Sequence, residues 1–275
     1  MHTGNLLSLN WNKEQKEFEK NLSLLREKYR KDAIHDLRVA VKKLRAYLEL
    51  GLLLPRDTEA SPGFEVELLI KNTESFFTLS GRQRDLEICQ EMVSSLKKET
   101  GYSYTELQSW FSSCLKKARG WTIAGIQSFN KSELQIAGRL LEQKIQSTDT
   151  NTISRQLLKL IDEQIPELHH HFREPHQLRK KLKKIYYWLQ LIRPGVPETT
   201  SLNDILDDLG HWQDLGVVGT RIKHFRQDLL PKIFIEKEHL KEAEKKMESR
   251  KKVLLRSTIA KTRKWIKSMK ELPSV

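Results

Sequence analysis

The chain has 275 residues, with 49 Lys and Arg against 36 Asp and Glu and a formal net charge of +13 at neutral pH. Such an excess does not specify a fold, but it favours anionic partners such as nucleic acid, polyphosphate or acidic lipid. Two cysteines, Cys89 and Cys114, are too few for a disulfide framework and read as small apolar residues of a reducing compartment. The longest apolar stretch, Leu50 to Leu54, falls far short of the roughly 20 residues that span a bilayer. The segment Met1-His-Thr-Gly-Asn5, leading into Asn12-Lys-Glu-Gln-Lys-Glu, has no apolar run of a signal peptide. The expectation is a soluble cytoplasmic protein with no membrane contact.

Periodicity is helical almost throughout, and no strand or hairpin is evident. Helices are predicted over 11–29, 32–53, 64–96, 104–128, 132–147, 152–172, 175–193, 201–228 and 237–270. Breakers separate them: Pro55, Ser61-Pro62-Gly63, Gly101, Ser147-Thr148-Asp149, Pro175, Pro194-Gly195-Val196-Pro197 and Pro231. Pro166 falls inside one predicted helix, which it should kink or divide.

In the helix at 32–53, Leu37, Val41, Leu44 and Leu48 recur at i, i+4, i+7 and i+11, the spacing of a core face. His35, Arg38, Lys42 and Arg45 form a second stripe beside it, about 15 Å long. The next helix carries Gly81-Arg82-Gln83-Arg84-Asp85-Leu86. From Leu107 to Ser132 there is no acid, while Lys116, Lys117, Arg119 and Lys131 are present. His169, His170 and His171 are consecutive, so they point around a helix rather than converging with His176 on a metal. The helix at 175–193 repeats the basic stripe with His176, Arg179 and Lys183, and Tyr186 follows where the first copy has Arg45. Lys180, Lys181 and Lys184 add charge, and no Asp or Glu occurs between Glu174 and Glu198. Asp204, Asp207 and Asp208 read as the acidic N-terminal turn of a helix starting at Ser201. From Ser249 to Lys270 there are nine basic residues, Arg250 and Arg256 among them, and again no acid.

The two basic helices are copies. His35–Leu50 and His176–Leu191 share His, Leu, Arg, two lysines and two further leucines at a constant offset of 141. Gly81, Asp85 and Leu86 answer Gly210, Asp214 and Leu215 at an offset of 129, which implies an insertion near Pro55–Gly63 in the first half. A repeat of this length means two copies of one structural unit. The implied architecture is all-α, two helical bundles related by an internal pseudo-twofold duplication, residues 1–150 and 151–275. Arg38, Lys42 and Arg45 are like-charged neighbours on one helix face, an arrangement that costs tenths of a kcal/mol per pair, roughly, and that a bound polyanion would relieve. Asp85 and Asp214 are poor polyanion ligands and are expected to orient basic side chains through charge-assisted hydrogen bonds.

The pattern His-x-x-Arg-Val-x-x-Lys-Lys-Leu-Arg-x-x-Leu at His35–Leu48, its partner at His176–Leu189 and the Arg84-Asp85-Leu86 turn resemble the CHAD family, the conserved-histidine α-helical domain, over essentially the whole chain. The resemblance implies two four-helix bundles with a basic central cavity that binds inorganic polyphosphate. Carried over by motif position, His35, Arg38, Lys42, Arg45, His176, Arg179 and Lys183 are the expected contacts. Tyr186 departs from the pattern, standing where the first copy has Arg45. Further contributors would be Lys43, Lys116, Arg119, Lys180, Lys184, Arg250 and Arg256. The resemblance implies a binding protein rather than an enzyme, without cofactor or metal, and with polyphosphate granules as a place to find its ligand. Nucleic-acid binding is the chief rival, resting on charge and on six tryptophans and six tyrosines that could stack bases. A phosphohydrolase is the lesser one, because the basic stripes lack the carboxylates that hold a catalytic cation. Exchanging Arg38 and Arg179 for glutamate should abolish binding with thermal unfolding nearly unaltered.

Overall fold

The i, i+3, i+4 recurrence of apolar residues folds the described residues into helices, and among them there is no strand. The computed structural model describes residues 3–53, 63–129, 132–192, 195–229 and 236–271. The breakers at Pro55, Ser61, Pro62, Pro194 and Pro231, the centre of the expected insertion, and Lys131 lie outside these residues. The helices are α1 (Thr3–Glu27), α2 (Lys31–Leu53), α3 (Gly63–Thr100), α4 (Thr105–Ser128), α5 (Ser132–Ser147), α6 (Thr150–Glu167), α7 (Pro175–Ile192), α8 (Pro197–His224) and α9 (Glu236–Lys270). Among the described residues no helix is long and apolar enough to cross a membrane.

Most predicted boundaries fall within a few residues of these, and the exceptions have local causes. Helix α1 begins at Thr3 rather than at residue 11, because Leu7 and Trp11 extend the buried stripe of Phe18, Leu22 and Leu25 by two turns. Pro166 supplies no N–H, and α6 ends one residue later, passing into a 3₁₀ turn at Leu168–His171. Asp149 starts α6 by accepting a hydrogen bond from the Thr152 N–H at 3.0 Å. Gly101 closes α3 with φ of 72°, its N–H donating to the Lys97 carbonyl at 3.0 Å. Helix α8 begins at Pro197, four residues before Ser201, so Asp204, Asp207 and Asp208 do not form its first turn. Asp208 instead accepts from Lys261 Nζ at 2.7 Å and Thr258 Oγ1 at 3.3 Å, tying α8 to α9.

Two compact units emerge. The first comprises residues 1–81, 119–167 and 184–195, and the second 82–118, 168–183 and 196–275. These units are not the sequence halves 1–150 and 151–275. Helices α3, α4 and α7 are each shared between the units, and α3 alone is about 57 Å long at 1.5 Å per residue. A long helix can bury its two ends in different cores, which a division by sequence repeat does not register.

In the first unit α1 packs on α2, α5 and α6. Leu37, Val41, Leu44 and Leu48 of α2 are each no more than 3% exposed, the face expected from their spacing. In the second unit Val93, Leu107, Phe111, Val218, Ile222 and Leu240 are among the residues of one continuous core. Cys89 is buried in that core, and burial pushes its thiol up to about 12, making it an inert apolar residue. Cys114 packs half-buried against the same core. Glu236, at the start of α9, accepts from the Leu107 and Glu106 N–H groups at 3.3 and 3.4 Å and so caps α4.

Candidate functional site

In the first unit the core stripe of α2 lifts the second stripe to the boundary with solvent. Arg38, Lys42 and Arg45 are half-buried and His35 is exposed. Arg38 is the most constrained. Its Nη1 donates to the Phe77 carbonyl at 2.7 Å and to Ser80 Oγ at 2.8 Å, and its guanidinium lies 4.1 Å from the centre of the Phe77 ring. Ser80 is buried, and its hydroxyl donates to the Phe76 carbonyl at 2.8 Å. Lys42 Nζ stands 5.4 Å from the same ring. Gly81 completes the seat, since a Cβ there would meet Arg38 Nη1 at 3.4 Å.

The second unit has the same device. A Cβ on Gly210 would stand 3.3 Å from Arg179 Nη2. Gly81 and Gly210 are the repeated glycines, and Arg38 and Arg179 the repeated arginines. Each glycine lets a guanidinium lie close to a helix backbone: an added Cβ would be in ordinary contact at Gly81 and a few tenths of an ångström too tight at Gly210. Four residues past Gly210, Asp214 is half-buried. Burial raises its carboxyl above the usual range, while the charges of Arg84 and Arg179 oppose the rise. Arg84 itself reaches Glu91 at 3.7 Å and Glu87 at 3.8 Å.

Beside Arg179 lies a cavity of about 510 Å³ whose walls include Asp85, His176, Trp212, Arg221, His224 and Lys251. The His176 ring stands edge-on to Trp212 at 5.0 Å, and Lys251 Nζ lies 4.9 Å over the same indole. His224 Nδ1 pairs with Asp228 at 2.7 Å. His176 is exposed overall, yet partial desolvation, with Lys251, Lys180 and Arg179 nearby, lowers its pKa below the usual imidazole value. In the free protein its neutral form is therefore favoured, the reverse of what a phosphate neighbour alone would do.

The repeated stripes of α2 and α7 leave the α8 wall of the cavity unmarked. Gln213, Gly216, Val217, Thr220, Arg221 and His224 line the cavity at i, i+3, i+4, i+7, i+8 and i+11. That is an amphipathic face whose members are small or polar, so hydrophobic periodicity passes over it. The signal was Gly216, against which Lys251 Nζ would stand 3.3 Å from an added Cβ.

Several basic residues singled out by sequence are engaged elsewhere. Lys43 Nζ pairs with the buried Glu14 at 2.6 Å, Lys184 with Glu49 at 3.1 Å, and Arg250 with Glu99 at 2.6 Å alongside Lys246. Arg45 approaches Glu74 at 3.9 Å. Arg119 lies 4.9 Å over the Tyr29 ring. Lys116, Lys180 and Arg256 are exposed and Lys183 is half-buried. His169 and His170 are exposed in the 3₁₀ turn. Among the described residues no group of three or more His, Cys, Asp or Glu is placed to hold a metal.

The chain aligns with the crystal structure of the CHAD domain from the plant Ricinus communis at a TM-score of 0.72 and 17% identity, over 96% of this chain and 92% of that one. It aligns with PptA from Streptomyces chartreusis at a TM-score of 0.69 and 13% identity, over 96% and 99%. A search of curated proteins returned no match. The profile of the CHAD domain matches residues 12–223, from α1 to the last turn of α8, and the chain belongs to the CHAD-domain family.

Proposed function

We propose that this chain binds inorganic polyphosphate, without turning it over, through the basic stripes of α2 and α7. The observation that carries the reading is the pair of glycine-seated arginines, Arg38 on Gly81 and Arg179 on Gly210. A seated guanidinium has lost its rotamer freedom before the ligand arrives, and its planar fork suits phosphate oxygens. Lys42, Lys183 and the exposed His35 add point charges along the same helices. Asp214 serves as the orienting carboxylate for Arg179, and Asp85 contributes to the electrostatics of the cavity wall. The cytoplasm is the compartment we assign, and no cofactor enters the scheme.

Polyphosphate presents charge without bases, so it needs no stacking platform. Of the six tryptophans, Trp11, Trp188 and Trp265 are at most 3% exposed and closed to base stacking, while Trp121 on α4 is 53% exposed and is the one large aromatic surface among the described residues that a single strand could use. Titration with polyphosphate of defined lengths, against duplex DNA and ATP at matched salt, tests the reading. Polyphosphate should bind most tightly, and no free phosphate should appear on prolonged incubation. Tighter binding of DNA would replace this function with the nucleic-acid one.

The glycine seats make a further prediction. In a helix interior Gly→Ala ordinarily stabilises by up to about 1 kcal/mol. Gly210→Ala should leave the Tm at or above that of the parent while weakening polyphosphate about twofold or more, because the new methyl, 3.3 Å from Nη2, makes the Arg179 guanidinium shift by a few tenths of an ångström. Gly219→Ala, with nothing within 4 Å of the added Cβ, is the control and should change stability alone. Parent-like affinity in Gly210→Ala would show that the seat is irrelevant to binding.

A further inference from the structure

Helix α9 lies wholly beyond residues 12–223, the part matched by the family profile. Its two halves differ in charge. Between Glu236 and Glu248 five glutamates alternate with lysines, as on an ordinary solvated helix; between Ser249 and Lys270 there is no acid. Lys252, Arg256, Arg263, Lys267 and Lys270 are all exposed. At 100° per residue they fall in one narrow outward stripe, about 27 Å long at 1.5 Å per residue. Lys252 and Arg256, and again Arg263 and Lys267, are like-charged i, i+4 neighbours.

The helix dipole favours cations only in the last turn, which accounts for Lys267 and Lys270 and not for Lys252, Arg256 or Arg263. Ion pairing does not absorb the stripe either. Lys252 reaches Glu248 at 3.7 Å and Lys267 reaches Glu271 at 3.9 Å, with the two lysine side chains 67% and 80% exposed. Arg263 lies 5.3 Å over the Phe172 ring, which holds it flat on the surface without neutralising it. No aromatic side chain stands in the stripe, since Trp265 is turned into the core. The residue preceding the stripe, Lys251, lines the cavity that holds His176 and Arg221.

We infer that the outer face of α9 is a second binding surface, which takes the overhanging part of a long polyphosphate chain whose near end is held beside Lys251. The inference rests on the polyphosphate reading and adds chain-length selectivity to it. Short chains engage the repeated helices alone, and long chains gain the α9 track.

The test compares the parent protein with a K252Q/R256Q/K267Q/K270Q variant, using tripolyphosphate, long-chain polyphosphate and duplex DNA. Helicity and Tm should match, because all four side chains are exposed. Tripolyphosphate affinity should agree within about twofold, while long-chain affinity falls roughly ten- to hundredfold and its dependence on salt becomes shallower, by the counterion-release logic of polyanion binding. Equal long-chain affinity in the two proteins, with tripolyphosphate bound normally, overturns the inference and leaves the function intact. Loss of DNA binding alone assigns the stripe to nucleic acid and also overturns it. A parent protein that binds neither phosphate chain removes the function and the inference together. The parent supplies an independent check, since equal salt slopes for short and long chains would exclude the α9 track without any variant.

Discussion

A protein carrying both Arg38→Glu and Arg179→Glu should bind long-chain polyphosphate more than about a hundredfold more weakly than the parent. Each charge-assisted hydrogen bond to phosphate is worth about 1.5–3 kcal/mol, and each 1.4 kcal/mol is a factor of ten. Losing two such contacts, and placing two carboxylates where phosphate would lie, exceeds that threshold. From sequence alone the double variant should unfold like the parent. The hydrogen bonds of Arg38 change this expectation. Its Nη1 serves the Phe77 carbonyl and the buried Ser80 hydroxyl, and a glutamate can donate to neither. The Arg38 single variant should therefore lose about 1–3 kcal/mol of unfolding free energy. Arg179→Glu adds a like charge near Asp214, whose carboxyl burial already raises, so its Tm should fall as well. Urea unfolding of both single variants and the double, beside polyphosphate titrations, reads both effects. Tight binding by a folded double variant would put the site elsewhere. Parent-like stability would mean that the Arg38 hydrogen bonds contribute nothing.

Acidification should strengthen binding while weakening the free fold, and His176 is the group that links the two. Its pKa is lowered by burial first and by Lys251, Lys180 and Arg179 after that. The folded state thus binds fewer protons at this site than the unfolded chain. Its contribution to stability is fully present above the unfolded value of about 6.5 and is lost as pH falls through 6.5 toward the lower folded value. Bound polyphosphate brings negative charge that offsets the three cations and raises the pKa. Binding then takes up a proton, and affinity rises with falling pH by up to about tenfold per unit between the bound and free pKa values. Calorimetry in buffers of different ionisation enthalpy counts that proton directly. His176→Asn should abolish the uptake and flatten the profile. Affinity that is constant between about pH 8 and 6 in the parent would remove His176 as a charged contact.

The helices were legible because their signal is local. Leu37, Val41, Leu44 and Leu48 declare a core face by spacing alone, and all four are buried. The matched glycines were legible as a repeat but not as a device. Nothing in Gly-x-x-x-Asp-Leu says that Arg38 and Arg179 lie on those glycines, because the contacts span 43 and 31 residues. Arg221 and His224 escaped because the face of α8 they share with Gly216 and Thr220 has no apolar period, and Lys251 escaped because it reaches the cavity from α9. A π-turn at Phe225–Leu229 then ends that helix, where sequence predicted regular helix to residue 228.

By itself the sequence determined that the protein is all-helical, that it carries a duplicated basic stripe, and that it belongs with CHAD domains. Periodicity and motif are written over runs of ten to twenty residues and survive without tertiary context. Only the tertiary structure decided which cations are spent inside the fold. Lys43 meets Glu14, Lys184 meets Glu49 and Arg250 meets Glu99, pairings across 29, 135 and 151 residues. It likewise divided the chain into compact units that differ from the sequence repeat, because α3, α4 and α7 each serve both. An ion pair or a glycine seat depends on which helix faces pack together, and that choice is made by the whole core rather than by any segment of it.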